Sequence, residues 1–379
     1  MPPKKNHHFV PQLILRRFSA DERTVSLHHF GSRRTIVDTA PISDQCSQDY
    51  FYGRDPALED SFGFTEGKFS QLLQKLESCD FGELPLDDRI AVILFTHYQR
   101  NRTAAAADKV NNQNEALLKD LAAQNPDTAD IDPASYRIKF DYQQILALKA
   151  AGDATLLTAD LEVKFLVNDR KMGFVISDAA VAGYNQFAEH HPLFTHWRGY
   201  SGVASKGLQW FYPISPRVCI AVYDPTTYCY GSPKSRVCRP SSRDVEFLNS
   251  LQAIHARECL YFLTGTVSDG EIDRMRGARE RHPNLYETRV VKSPPYRRPD
   301  GLIGQIMSPV TPDPRLGFQP NFSRVVDDNP YDGYDRAILP VRSPELMKLA
   351  EQEWKRRAGE ERNATGDAAP ESGERGPAG

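Results

Sequence analysis

Two adjacent histidines, His7 and His8, lie near the start of the sequence in the string His-His-Phe-Val-Pro-Gln. An imidazole titrates near neutral pH, so such a pair could transfer protons or bind a metal ion. The simpler interpretation is that the two side chains cap the helix that follows them, because most titratable residues have no catalytic role. The residue types therefore indicate acid–base chemistry here and leave a structural role open.

Carboxylates that could bind a cation occur at three positions. Glu59 and Glu66 are seven residues apart, on one face of a predicted helix, and could hold an ammonium or guanidinium group. Because glutamate is normally exposed, a solvated helix face is the simpler interpretation. Asp178 ends an apolar strand, where a carboxylate can face a cleft or cap a turn. Ser177 beside it could act as a nucleophile, although a turn residue is the simpler interpretation.

The motifs of nucleotide, zinc and redox chemistry are missing from the sequence. The stretch 63–69 imitates a phosphate-binding loop, but it lacks one spacer residue and the hydroxyl after the lysine. The six cysteines include no Cys-x-x-Cys pair, so neither a zinc knuckle nor a thioredoxin-type site is encoded. We therefore expect no cofactor and no metal, and an ATP-driven ligase is disfavoured.

The net charge of the 379 residues is 47 − 50 = −3, which excludes a uniformly basic nucleic-acid binder. Any contact with a polyanion must come from a local patch, and Arg100 with Arg102 forms one candidate. No stretch resembles a signal peptide, and no apolar run approaches the 18 residues of a membrane span. We therefore expect a cytoplasmic protein that neither enters a membrane nor binds DNA.

The hydrophobic periodicity changes along the chain from a helical to a strand-like repeat. Helices are predicted over 9–18, from Pro56, from Asp87, and over 104–123, 142–151 and 244–262. Strands are predicted over 25–30, 34–37, 163–167, 174–176, 210–212 and 218–222, with a hairpin-sized link between 163–167 and 174–176.

This order predicts an α+β fold with a mainly helical N-terminal half, a small and mostly antiparallel sheet in the middle, and a disordered C-terminal tail. Residues 1–280 are expected to form one α+β domain of catalytic type. Residues 281–342 should be a proline-rich extended segment packed on it, 343–362 a helix, and 363–379 a disordered tail.

Several segments together resemble a widespread family of unknown function that is found in bacteria and fungi. The His-His-x-Val-Pro-Gln opening is similar to its signature, and the other similar segments follow in the same order over residues 7–262. They are the helix with Glu59 and Glu66, Gln99-x-x-Arg102-Thr103, the strand before Ser177-Asp178, Pro213-x-Ser215-Pro216 and Leu248-Asn249.

Within that family, the chain resembles fungal arginine-containing cyclodipeptide synthases of secondary metabolism. The resemblance implies that two aminoacyl-tRNAs, one of them arginyl-tRNA, are the substrates and that a diketopiperazine is the product. An aminoacyl ester is already activated, which fits the missing nucleotide site, and the reaction needs an acid and a base. We therefore assign catalytic roles to His7, His8, Glu59 and Asp178, and substrate binding to Glu66, Arg100, Arg102 and Ser177.

Two other functions remain open at this point. A His-His-x-x-Pro string also begins some ββα-metal nuclease motifs, and two short strands follow it here. Against a nuclease, no predicted helix just after those strands supplies the Asn or His ligand that such a fold needs. The chain could also be a binding protein without enzymatic activity, because family membership does not fix function.

Overall fold

The computed structural model describes residues 5–190, 202–283, 287–298, 301–326 and 341–365, which form an α+β fold, as predicted. The helices are α1 (Gln12–Leu15), α2 (Pro56–Ser78), α3 (Leu86–Asn101), α4 (Ala104–Gln124), α5 (Gln143–Ala154), α6 (Gln186–His190), α7 (Ser242–His255), α8 (Asp269–Glu280) and α9 (Pro344–Thr365). The strands are β1 (Asn6–His8), β2 (Thr24–His29), β3 (Arg34–Pro41), β4 (Ser47–Asp49), β5 (Glu162–Val167), β6 (Ile176–Ser177), β7 (Ala182–Tyr184), β8 (Gln209–Ser215), β9 (Val218–Tyr223), β10 (Tyr228–Tyr230), β11 (Val237–Cys238), β12 (Cys259–Phe262), β13 (Arg289–Lys292), β14 (Tyr296–Arg297), β15 (Ile303–Gly304), β16 (Met307–Val310) and β17 (Ser323–Val325).

Two helices of the N-terminal half, α2 and α3, pack against each other. The Asp55 side chain caps α2 by accepting the Ala57 N–H at 2.9 Å, and Pro56 occupies the first turn, where its missing N–H is not needed. The Phe69 ring of α2 stacks on the Phe95 ring of α3 at 3.6 Å between ring centroids. This stacking fixes the two helices side by side and leaves other faces of α3 for α4 and α5.

Two larger sheets, besides four two-stranded ones, form the β part of the described fold. The first has the strand order β11-β5-β9-β8-β7, with only the β11–β5 pair parallel, and the second has the order β3-β2-β12-β6. The predicted strands at 163–167 and 174–176 do not form a hairpin, because β5 pairs with β9 and β11 whereas β6 pairs with β12 in the other sheet.

The two sheets are joined by polar side chains of α7. The Gln252 carbonyl oxygen accepts the Ser177 N–H and hydroxyl at 3.0 and 2.8 Å, and its amide nitrogen donates to the Ala180 carbonyl oxygen at 3.1 Å and to that of Phe211 at 3.4 Å. Gln252 is 1% exposed, so these bonds replace water entirely. One buried amide therefore holds β6 of one sheet beside β8 of the other.

The predicted helix over 244–262 is wrong in its last third, because α7 ends at His255 and Cys259–Phe262 is strand β12. The Asp178 carboxylate accepts the backbone N–H groups of Arg257, Glu258 and Cys259, at 2.7, 2.7 and 3.1 Å. A continuing helix would need those donors for its own carbonyl groups. Helix α8 was not predicted, although Ser268 and Glu271 form a capping box at its start.

The C-terminal part of the described chain packs back on the helices. Strands β13 and β16 lie against α4, where Lys292 pairs with Asp120 at 2.8 Å. Helix α9 covers the predicted helix at 343–362, and its Trp354 donates to the Asp153 carbonyl oxygen at 2.7 Å. Of the tail predicted as disordered at 363–379, residues 363–365 belong to α9, so the prediction is wrong for them, and the rest lies outside the described residues. No helix within the described ranges is long and apolar enough to cross a membrane.

Candidate active site

The histidine pair lies on β1, and the two side chains have different surroundings. His7 is 2% exposed, its Nδ1 accepts the Tyr52 N–H at 3.2 Å, and its ring stacks on the Tyr52 ring. His8 is partly buried, with its Nε2 at 3.1 Å from the Ser43 carbonyl oxygen. Burial lowers the pKa of His8. The geometry thus shows His7 packed in the interior beside a backbone donor.

Arg102, at the end of α3, is the centre of a buried polar cluster. Its guanidinium donates to the Tyr52 hydroxyl, Glu66 Oε1 and the His8 carbonyl oxygen, at 3.1, 2.7 and 2.5 Å. Burial alone would lower the pKa of Arg102, but Tyr52 and Glu66 stabilise the charged form and the pKa is raised. Glu59 lies near enough for its charge to act on Tyr52, whose pKa burial raises to about 12. We call Arg102, Tyr52, Glu66 and His8 the Arg102 cluster.

The structure brings four of the predicted site residues, His8, Glu59, Glu66 and Arg102, near one another. It places Ser177 and Asp178, which were assigned to the same reaction, in another part of the fold. Asp178 uses both carboxylate oxygens to hold the turn into β12, and the Ser177 hydroxyl bonds to Gln252. Neither residue lines a cavity with the Arg102 cluster. Their contacts explain the turn and the sheet junction rather than a reaction.

Replacing Asp178 by alanine is expected to lower the free energy of unfolding by about 3 kcal/mol, because three backbone N–H groups, one of them fully buried, would lose their acceptor. The control is Glu258→Ala, which removes only an exposed ion pair with Arg257 and should change stability little. Urea denaturation of both variants measures the difference. Equal stability of the two variants would contradict this assignment.

A cavity of about 480 Å³ lies between α3, α4, α5 and residues 308–313, and we call it the Arg100 cavity. Arg100 of α3 and Lys109 of α4 line it, and neither forms a hydrogen bond or ion pair with any residue of the described ranges. The Arg100 guanidinium lies 5.7 Å from the centre of the Trp210 ring. Burial lowers the pKa of both cations, so each charge is poorly solvated. The Asp313 carboxylate in the same wall acts on both cations and opposes the effect of burial on their pKa. The pair attracts an anion in competition with Asp313.

His97 borders the same cavity one turn before Arg100. Its Nε2 donates to the Ala151 carbonyl oxygen at 2.9 Å, which leaves Nδ1 as the acceptor, and Nδ1 has no hydrogen-bond partner among the described residues. Burial lowers the pKa of His97 to about 4, and the charge of Arg100 adds to this effect. His97 is therefore neutral at pH 7, and its buried Nδ1 keeps a lone pair that no described residue uses.

A second histidine, His255 of α7, also lines the cavity. Its Nε2 donates to the Gly183 carbonyl oxygen at 2.8 Å, and burial lowers its pKa to about 3. The reasoning from sequence assigns none of His97, Lys109 and His255 to a functional site. The only available signal was the spacing of His97 and Arg100 by three residues, which places them near each other on one helix.

The arrangement predicts a loss of stability in acid. The pKa of His97 is about 4 in the folded protein and near 6.5 when unfolded, so the unfolded chain binds more protons between these values. Stability is thus complete above pH 6.5 and falls as the pH drops to 4, by about 3 kcal/mol from this residue. Urea denaturation from pH 7 to 4 should show a steeper loss for the wild type than for His97→Gln, and parallel curves would contradict the prediction.

Within the described part of the chain, no group of three or more His, Cys, Asp or Glu residues is placed to hold a metal ion.

The sequence model of a family described as "Protein of unknown function (DUF4238)" matches residues 6–266. No curated protein and no solved structure matches the chain. The matched range includes the Arg102 cluster and His97, Arg100 and Lys109.

Proposed function

Because the chain belongs to the DUF4238 family of proteins of unknown function, its activity must be inferred from its own site, and we propose that it is an aminoacyl-tRNA-dependent cyclodipeptide synthase. It joins arginine from arginyl-tRNA to a second tRNA-borne amino acid and releases a diketopiperazine. The observation that carries this proposal is the Arg100 cavity, where two cations without hydrogen-bonded partners among the described residues lie beside a neutral histidine.

The reaction needs no energy source beyond its substrates. The amino group of one aminoacyl ester attacks the ester carbonyl of the other, an amide bond forms, and the ester bond to the first tRNA breaks. The ribose oxygen leaves and takes up a proton, while the attacking nitrogen loses one. A second, intramolecular attack closes the ring and frees the second tRNA in the same way. Each step needs one proton acceptor and one donor near the carbonyl carbon.

The Arg100 cavity has groups for these tasks. Arg100 and Lys109 bind the phosphate of the terminal nucleotide, or the oxyanion that forms at the ester carbonyl. His97 Nδ1, which has no hydrogen-bond partner among the described residues, accepts the proton of the attacking amine and then donates it to the departing ribose oxygen. Because the charge of Arg100 lowers the pKa of His97, an anion bound to Arg100 offsets that charge and makes His97 a stronger base. Substrate binding thus raises the basicity of the group that acts next.

The Arg102 cluster supports this site from the other side of α3. Arg102 joins the end of α3 to β1 through the His8 carbonyl oxygen and to α2 through Glu66. We assign His8, Glu66 and Arg102 to positioning α3, and therefore His97 and Arg100, rather than to proton transfer. Glu59 lies at the edge of the cluster, beside Tyr52.

The test is incubation of the purified protein with arginyl-tRNA and a mixture of other aminoacyl-tRNAs, followed by mass spectrometry of small products. An arginine-containing diketopiperazine is expected, and deacylated tRNA serves as the control. Soluble, folded protein that yields no such product above the control, with intact charged tRNA present, would refute the proposal.

A further inference from the structure

A second cavity, of about 820 Å³, lies between α2, α3 and α5 on a different face of α3, and we call it the apolar cavity. Its walls are mostly aliphatic and aromatic, and its size is in the range of small-molecule sites. The apolar side chains at its centre include Leu72, Leu94, Phe95 and Leu148. The Arg100 cavity shares none of these four residues, so the two cavities have separate walls.

One polar atom in the wall of this cavity has no partner. Gln99 is 1% exposed, and its Nε2 donates to the Phe9 carbonyl oxygen at 2.9 Å. This bond orients the amide, and Gln99 Oε1 then accepts from no donor among the described residues. A buried carbonyl oxygen without a donor is unfavourable, so an N–H or O–H group of a ligand would be stabilised there.

The wall of the cavity also includes a lysine. Lys68 of α2 forms no ion pair with any described residue, and its ammonium lies 5.2 Å from the centre of the Phe64 ring. Lys68 precedes Phe69, which stacks on Phe95, and Gln99 lies one turn beyond Phe95. Lys68 and Gln99 therefore both lie within about one helical turn of the stacked Phe69–Phe95 pair. Leu72 and Leu148 give the walls an apolar character.

From this distribution we propose that the apolar cavity binds an amphiphile with an extended apolar chain and a head group that carries both an N–H or O–H donor and a carboxylate. The chain lies along Leu72, Leu94 and Leu148, the donor binds Gln99 Oε1, and the carboxylate pairs with Lys68. An N-acylated amino acid has this chemistry. The site is independent of the activity proposed for the Arg100 cavity.

The test uses three matched probes and isothermal titration calorimetry on the full chain. N-decanoylglycine has all three features, N-decanoylsarcosine lacks the N–H donor, and the methyl ester of N-decanoylglycine lacks the charge. We expect N-decanoylglycine to bind and each of the other two probes to bind at least tenfold more weakly. In Lys68→Gln, the acid and the ester should bind equally, because the partner of the charge is removed.

Two tryptophan substitutions one residue apart locate the site. Ala91 lines the cavity and Ile90 does not, and both are exposed positions of α3, so neither variant should impair folding. Ala91→Trp should weaken N-decanoylglycine binding at least tenfold, whereas Ile90→Trp should leave it unchanged. The proposal is overturned if N-decanoylglycine shows no binding to the wild type, if the three probes bind equally, or if Ala91→Trp binds it as the wild type does.

Discussion

Replacement of Arg100 by methionine is expected to lower the rate of diketopiperazine formation from arginyl-tRNA by about 10²- to 10³-fold, the usual effect of removing one donor to a developing negative charge. Arg100 lines the cavity as a desolvated cation, and its guanidinium donates a hydrogen bond to no described residue. Methionine keeps much of the side-chain volume and its contact with Trp210, so the fold should survive. Lys109→Met should act in the same direction.

The matched control is Lys119→Met, on the same helix α4. Lys119 Nζ forms an ion pair with Glu115 Oε1 at 2.9 Å, and Lys119 does not line the Arg100 cavity. Loss of its charge should therefore leave the reaction rate unchanged. Initial rates by mass spectrometry and the salt dependence of tRNA binding are the measurements, and loss of one phosphate contact reduces the salt slope by about 1. Wild-type rates in both Arg100→Met and Lys109→Met would show that the reaction takes place elsewhere.

The second large effect is expected for His97→Gln, with a fall in kcat/KM of about 10²- to 10⁴-fold, the range of a general base. The glutamine amide nitrogen can occupy the position of Nε2 and keep the bond to the Ala151 carbonyl oxygen, so the variant should fold. What it loses is the Nδ1 acceptor. His97→Asn is the complementary variant, because it keeps a polar atom near Nδ1 and loses the Ala151 bond.

The pH profile separates proton transfer from a structural effect. In the wild type, kcat/KM should fall as the pH drops toward about 4, where His97 becomes protonated in the free enzyme. In His97→Gln, this acid limb should disappear from the residual activity. A His97→Gln enzyme with a wild-type rate, or with an unchanged acid limb, would exclude His97 as the base.

The sequence predicts most helices because their signals are local. Pro56 begins α2 as expected, and the apolar pattern after Asp87 marks α3. Where the prediction fails, the deciding partner is distant in sequence. Asp178 takes the N–H groups of residues 257–259, about 80 positions away, and so ends a helix that the local pattern would continue. No periodicity within one segment contains that information.

The candidate site was predictable only in part, because the sequence shows which residues are neighbours along the chain but not which of them share a cavity. Arg100 and Arg102 formed one basic patch in the sequence, yet two residues of an α-helix differ by about 200° around its axis. Arg100 therefore enters a cavity with Lys109, whereas Arg102 is buried against Glu66. Lys109 joins Arg100 only because α4 folds back beside α3, which a single sequence does not reveal.

The amide of Gln252 has a consequence for how the molecule comes apart. Its oxygen accepts a hydrogen bond from β6 and its nitrogen donates one to β8. Opening either sheet therefore leaves one end of the buried Gln252 amide without a hydrogen-bond partner. Separate melting of the two sheets is thereby penalised, and they behave as a single cooperative unit. Strand β12 pairs with β6 and carries the buried Cys259, so we expect the Cys259 thiol to become accessible only when this unit opens.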